Sequence, residues 1–182
     1  MHRSKLRSAL MRYQENHPDE GETVSRFMAL LKQDNCFRRD CWLGHITGSA
    51  WLVDPKGERL LLTHHRKLKI WVQLGGHSDG DSDTPGVALR EAEEESGLSV
   101  ERLGEDILDI DIHSIPARGA EPAHEHFDVR YAMRAGCERF VVSEESLELA
   151  WVPIQELAAF TQEASLLRMR EKWLQNRDAL LK

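Results

Sequence analysis

The segment Arg90-Glu91-Ala92-Glu93-Glu94-Glu95-Ser96-Gly97 sets four carboxylates beside one guanidinium. On an α-helix, Glu91 and Glu95 fall about 40° apart and about 6 Å along the axis. Glu94 falls about 60° to the other side of Glu91, so these three carboxylates share an arc of roughly 100°. Like charges at that spacing repel modestly. A divalent cation turns the repulsion into a site. Mg²⁺ takes oxygen ligands and is usually shared between one or two carboxylates and substrate phosphates. Such an ion neutralises phosphate charge, stabilises a leaving group and activates water. One carboxylate of suitable pKa can also serve as general base. The plainer reading is a solvated acidic face with Arg90 paired to Glu94 at i,i+4. The Gly75-Gly76 pair ahead of the helix favours the metal, because glycine permits close backbone approach. A carbonyl near Gly75 can then join the ligands.

The spacing carries more than the helix alone. Gly76, five residues, Ser82, seven residues, then Arg90-Glu91-Ala92-Glu93-Glu94-Glu95-Ser96-Gly97-Leu98 resembles the Nudix signature, with Ser82 where that family has Glu. The box covers 23 residues, and a looser resemblance runs over roughly residues 42–182. The resemblance implies an α/β fold, a Nudix-like α/β/α sandwich with a mixed sheet. It implies water attack at phosphorus on a nucleoside diphosphate linked to another moiety, a small nucleotide-type substrate. The implied cofactor is Mg²⁺, which Mn²⁺ can replace. Glu91, Glu94 and Glu95 then bind metal and Arg90 orients them. The general base varies across the family, and Glu121, Glu125 and Asp128 are candidates here. Ser82 leaves a gap in the loop that Asp79, Asp81 or Asp83 could fill. The alternative is a catalytically weakened nucleotide-binding or regulatory module. An isomerase on the same fold needs a cysteine in a setting that neither Cys36 nor Cys41 occupies.

Other polar residues are candidates for substrate contact. Arg66 and Lys67 follow a strand and suit a diphosphate, Arg by its fork and Lys as a point charge; a solvated basic turn is the alternative. His77 lies in the box loop. His113, His124, His126 and Asp128 share polar strand faces, where they line a substrate pocket, face solvent or hold a transition metal. His126 and Asp128 are taken as substrate-binding. Trp51 and Trp71 could stack a base or be buried. The loop over 113–124, with Pro116, Gly119 and Pro122, is a candidate specificity lid.

These groups need elements to hold them. Residues 1–36 read as a helical extension. Leu6, Leu10 and Tyr13 share one face, and Val24, Phe27, Met28 and Leu31 form a second stripe. Pro18, Asp19 and Gly21 separate the two. The remaining stretch, 37–182, reads as one domain. Ile46–Val53, a turn at Asp54-Pro55-Lys56-Gly57 and Arg59–Thr63 suggest a β-hairpin. A strand near Ile70–Leu74 ends at Gly75-Gly76. Thr84 can cap the carboxylate helix with Pro85 at its first position, and Gly97 ends it. Ile107–His113 and His124–Met133 alternate apolar and polar residues, the pattern of strands with one face of each kind. A strand near Leu147–Val152 and a C-terminal helix bearing Leu166, Leu167, Trp173, Leu174, Leu180 and Leu181 complete the chain.

The bulk numbers bound the answer. The chain has 182 residues, 41% of them hydrophobic, and a net charge of −7. That is enough apolar material for a core, and the acidity argues against a general nucleic-acid binder. Three cysteines without a CxxC pair suggest free thiols in a reducing cytoplasm rather than disulfides or zinc. No apolar run approaches the roughly 20 residues of a membrane span. The basic first 13 residues weakly mimic a transit peptide, but acidic residues follow at once, as in a surface helix. The N-terminal helices can cap the domain or make a homodimer contact.

Overall fold

A computed structural model describes residues 2–66, 69–119, 121–142 and 146–182. Helices α1 (His2–Asn16) and α2 (Gly21–Leu30) lead in, joined by a 3₁₀ turn at Pro18–Glu20. Then come β1 (His45–Val53), β2 (Arg59–His65), β3 (Trp71–Val72), β4 (Leu74–His77), α3 (Thr84–Ser96), β5 (Val100–Arg102) and β6 (Asp109–Ile115). The chain closes with β7 (His124–Ala135), β8 (Ser146–Pro153), α4 (Leu157–Phe160) and α5 (Ala164–Leu180).

Strand β1 is the axis of a mixed sheet. It pairs in parallel with β7 along its whole length, and antiparallel with β4 from Thr47 to Ala50. All nine of its residues are buried, as expected of a strand covered on both faces. Its side chains alternate between two cores. Ile46, Ala50 and Leu52 join Ala88 and Ala92 of α3 and the α1–α2 stripe. Trp51 and Val53 point the other way, to Leu166, Met169 and Trp173 of α5. Helices therefore cover both faces of the sheet, and the expected mixed α/β sandwich is the fold observed. The N-terminal stripe also includes Leu30, and its residues share their core with the sheet. Glycine at 48 lets α3 lie close on β1: a Cβ there would stand 2.9 Å from the Thr84 carbonyl oxygen and 3.1 Å from the Ala88 nitrogen.

Several local expectations need correction. The β1–β2 hairpin is paired only where Val53 meets Leu60; β2 instead spends its edge on β8. The strand placed near Ile70–Leu74 is two short strands. β3 pairs with β2, the chain crosses at Gln73, and β4 continues through Gly75 and Gly76 to His77 on β1. The box loop thus starts after His77, which is the last residue of β4 rather than part of the loop. The cap residue of α3 is Asp83 rather than Thr84, whose hydroxyl hydrogen-bonds with that of Tyr131 at 2.6 Å. Gly97 does end α3, in the left-handed conformation with φ +66. Strand β5 escaped the sequence reading because its three residues show too little alternation to read.

The polar face of β6 and β7 is the largest departure. Asp109 and Arg130 are buried rather than solvated. Asp109 accepts from Arg130 at 3.1 Å, from Arg168 through two bonds of 2.8 Å, and from Lys172 at 2.6 Å. Lys172 also donates to Glu20 at 2.5 Å and to the Tyr13 hydroxyl. Arg130 reaches Asp128 at 2.8 Å and Asp111 at 3.3 Å. Charges removed from water need such complete pairing. Burial opposes ionisation of Asp111, but His113, Arg130 and Arg168 hold its carboxyl well below the usual range.

Candidate active site

The geometry starts from the end of β4. Gly75 and Gly76 lie against β1 opposite Ser49 and Gly48, and α3 passes over them. The Gly75 amide donates to Oε1 of Glu95 at 2.9 Å. A Cβ on Gly76 would stand 2.2 Å from Oε2 of Glu91 and 2.5 Å from its Cδ. Glycine is needed there because the carboxylate fills the space a side chain would take. One turn apart on α3, Glu91 and Glu95 thus both reach back to consecutive residues of one strand. Glu94 stays 65% exposed, 3.9 Å from Nε of Arg90.

Arg90 binds this group together. Its Nη2 lies 3.1 Å from Oε1 of Glu91 and 3.4 Å from the His77 carbonyl oxygen. Its Nη1 stands 3.9 Å from Oδ2 of Asp81. The expected Arg90–Glu94 pair therefore exists, but as one of several partners. Of the loop aspartates, Asp81 is the one beside Arg90. Asp79 is committed to Arg39, with bonds of 2.6 and 2.8 Å, and Asp83 begins the helix. Ser82 lines a surface hollow of about 460 Å³ shared with Ser4 and Lys5 of α1 and Thr84 of α3.

Arg39 is a cation that the sequence did not single out. It lies in a turn before β1, with no motif around it, and the negative charges of Asp79, Glu121 and Glu91 all act on it. It brings a second guanidinium to the carboxylate cluster.

The remaining candidates separate. Asp128 was read as a substrate contact and candidate base, but its carboxylate is 1% exposed as a residue and fully engaged. Oδ1 accepts from Thr47 at 2.9 Å and Ser49 at 2.8 Å; Oδ2 accepts from Gln73 at 3.2 Å and Arg130 at 2.8 Å. It ties β1 and the β3–β4 crossing to β7 instead. Glu125 pairs with Arg26 of α2 at 2.6 Å. The expected 113–124 loop is shorter, since β6 runs to Ile115 and β7 starts at His124; Glu121 is exposed between them, where its backbone bridges Arg118. Arg66 is exposed in the turn after β2, and Lys67 lies outside the described residues. Trp51 is core, whereas Trp71 stacks on His64 with centroids 5.1 Å apart.

The histidines gather at the open end of β1, β4 and β7. His45, His77 and His126 have ring centroids 4.8 to 5.2 Å apart, and His124 stacks on His45 at 4.9 Å. Burial and the neighbouring charges push His45 and His77 down to about 4. Burial and the surrounding rings push His126 down to about 2. His45 was missed because a histidine heading an apolar strand gives no periodic signal.

What the carboxylate cluster can do follows from its donors. Glu91, Glu94 and Glu95 present oxygen atoms suited to a hard dication, and the vacant Cβ position at Gly76 leaves the Glu91 carboxylate its place against the strand. The residues present fit Mg²⁺.

Comparison with known proteins places the fold in a family. The family model described as NUDIX domain matches residues 45–173. A protein of Lactococcus lactis subsp. cremoris described as a probable DHNTP pyrophosphohydrolase is 25% identical over 134 residues, covering 72% of this chain and 76% of that one. A NUDIX-family hydrolase of Clostridium perfringens is 27% identical with a TM-score of 0.54, covering 70% of this chain and 95% of that chain. The dihydroneopterin triphosphate pyrophosphohydrolase of E. coli shares the fold at 19% identity, with a TM-score of 0.57 and coverage of 72% and 95%.

Proposed function

The chain belongs to the NUDIX family of pyrophosphohydrolases, and on that premise we propose that it hydrolyses the diphosphate linkage of a small nucleotide-type substrate with the help of Mg²⁺. One observation carries the reading: Glu91 and Glu95 both turn onto the Gly75-Gly76 strand end, with Glu94 and Arg90 beside them.

Glu91, Glu94 and Glu95 would hold the metal, with a Gly75 carbonyl as a further donor. The ion supplies charge neutralisation at the diphosphate and an activated water. The chain's own work is positional. The Gly75 N–H holds one oxygen of Glu95, and Arg90 holds one oxygen of Glu91. Their charges are kept in register without a bulky side chain between them. Arg90 and Arg39 offset the repulsion of the acidic groups. Arg is well suited to phosphate oxygens. A glutamate of the cluster is the natural general base, since Asp128 already accepts four hydrogen bonds.

Two names among the relatives make dihydroneopterin triphosphate the first compound to try. The panel should also hold nucleoside triphosphates, nucleotide sugars and dinucleoside polyphosphates, each with Mg²⁺ and with Mn²⁺. Turnover of at least one compound, lost on Glu95→Gln, is the expected outcome. Turnover that Glu95→Gln leaves intact, or tight nucleotide binding without any hydrolysis, would overturn it. The second outcome would favour a binding or regulatory module, the reading to which Ser82 points. The free cysteines Cys36, Cys41 and Cys137 agree with a cytoplasmic setting. Among the described residues no helix is long and apolar enough to cross a membrane.

A further inference from the structure

We propose that His45, His77 and His126 form a second metal site, for a Zn²⁺-class transition-metal dication, beside the carboxylate cluster. One ligating atom from each of the three rings lies within 4.8 Å of the other two. The backbone makes that convergence. His45 opens β1 and is in parallel register with His126 on β7, while His77 closes β4, whose pairing places it opposite Thr47 of β1. Three strands thus deliver one imidazole each to the same point.

The second observation is an unmet need. His45 is 2% exposed, and neither of its ring nitrogens makes a hydrogen bond of acceptable geometry, although the Cys41 carbonyl is near enough to favour its protonated form. Nε2 of His126 is likewise buried and unpartnered. A buried polar atom without a partner carries its full desolvation cost. Nitrogen lone pairs turned toward one another cannot satisfy each other unless one carries a proton. A dication takes one lone pair from each ring, and so gives Nε2 of His126 and one nitrogen of His45 a partner. Neutral imidazole is the ligating form.

The donor set selects the ion. Three nitrogens favour Zn²⁺, Cu²⁺, Ni²⁺ or Fe²⁺ over Mg²⁺, which takes oxygen. At Zn–N distances of about 2.0–2.1 Å, tetrahedral nitrogens stand about 3.4 Å apart, so ligand atoms now within 4.8 Å of one another need to close by up to about 1.4 Å. The surroundings offer support. His113 and His124 flank the cluster, with centroids 5.4 and 5.3 Å from His126. Nδ1 of His124 bonds the Pro122 carbonyl at 2.9 Å, the arrangement that leaves Nε2 of a histidine free as ligand. His124 or a water can fill the fourth position. Because the His77 carbonyl accepts from Arg90, an ion here would stiffen the strand end that carries the carboxylate loop.

The test uses the full chain, stripped with chelator and titrated with Co²⁺ and then Zn²⁺. The expected result is one equivalent of Co²⁺ with intense visible d–d bands, displaced by Zn²⁺ and not by excess Mg²⁺. His77→Asn and His126→Asn should each weaken binding at least 100-fold, beyond what an outer-shell partner typically costs. Glu95→Gln should keep it. Weak octahedral bands, or binding lost in Glu95→Gln and kept in the histidine variants, would overturn the site. If the variants fail to fold, X-ray absorption of the Zn²⁺-loaded wild-type chain decides. Imidazole scattering with nitrogens at about 2.0 Å supports the proposal, and an oxygen-only shell ends it.

Discussion

Gly76→Ala isolates the geometry on which the proposed chemistry depends. Gly76 is not among the positive-φ residues, so its backbone accepts alanine. The added Cβ would stand 2.2 Å from Oε2 of Glu91, whereas real Cβ contacts begin at 3.0 to 3.4 Å. The carboxylate must therefore retreat by about 1 Å. Its side chain is 19% exposed and has room to move, so the fold should lose less than about 1 kcal/mol. Catalysis should not be so forgiving. A misplacement of about 1 Å at a reacting centre costs on the order of 100-fold, or about 2.7 kcal/mol. The assay is kcat/KM on whichever panel compound the wild type cleaves, with a Mg²⁺ titration and thermal unfolding alongside. A 100-fold loss with unchanged Tm and a weaker Mg²⁺ response is expected. Activity within about threefold of wild type, in a folded variant, would refute the claim that the Glu91–Gly76 contact sets the metal geometry.

Other outcomes follow from the same contacts. Asp81→Ala should lower kcat/KM by about two- to fivefold, the worth of a partly exposed ion pair to Arg90, while Ser82→Ala should change it less than twofold; steady-state kinetics on both variants decides. Asp109→Asn should cost about 3–5 kcal/mol, because it leaves Arg130, Arg168 and Lys172 short of a buried anion; the midpoint of urea unfolding reads this. In chelator, the pH dependence of stability should carry the signature of His45. Its pKa falls from 6.5 unfolded to about 4 folded, so its contribution is complete above pH 6.5 and is lost as pH falls toward 4. Between pH 7 and pH 5 this amounts to about 2 kcal/mol, and a His45→Gln variant should lack that part of the slope in denaturant titrations.

The carboxylate helix was legible because its information is local. Arg90 through Gly97 are contiguous, and one turn of helix suffices to bring Glu91 beside Glu95. The alternation in β6 and β7 was equally readable, yet its meaning was not. Period two says that Asp109, Asp128 and Arg130 share a face; it does not say that α5 arrives later in the chain to bury that face with Arg168 and Lys172. The same limit explains Asp128. Four donors from β1, the β3–β4 crossing and β7 itself converge on it, and no spacing in the sequence encodes three strands meeting. His45 and Arg39 were invisible for a related reason, since each gains its neighbours only through sheet register or loop path. The glycines misled differently: Gly75-Gly76 reads as a turn, but the pair sits in a strand because a carboxylate occupies its surface.

The link from Tyr13 and Glu20 to Lys172 spans more than 150 positions of chain. On the ribosome the first helices emerge long before their polar partners on α5 exist. Their apolar stripe can meet the early strands, but the Lys172 ammonium that answers Glu20 and Asp109 comes 152 residues after Glu20. Closure of so long a loop is entropically slow. Helix α5 therefore acts as a latch on a nascent chain, and a synthesis arrested before residue 164 would release a product in which Asp109 and Asp111 keep Arg130 but lack Arg168 and Lys172, with the β6–β7 face open to aggregation.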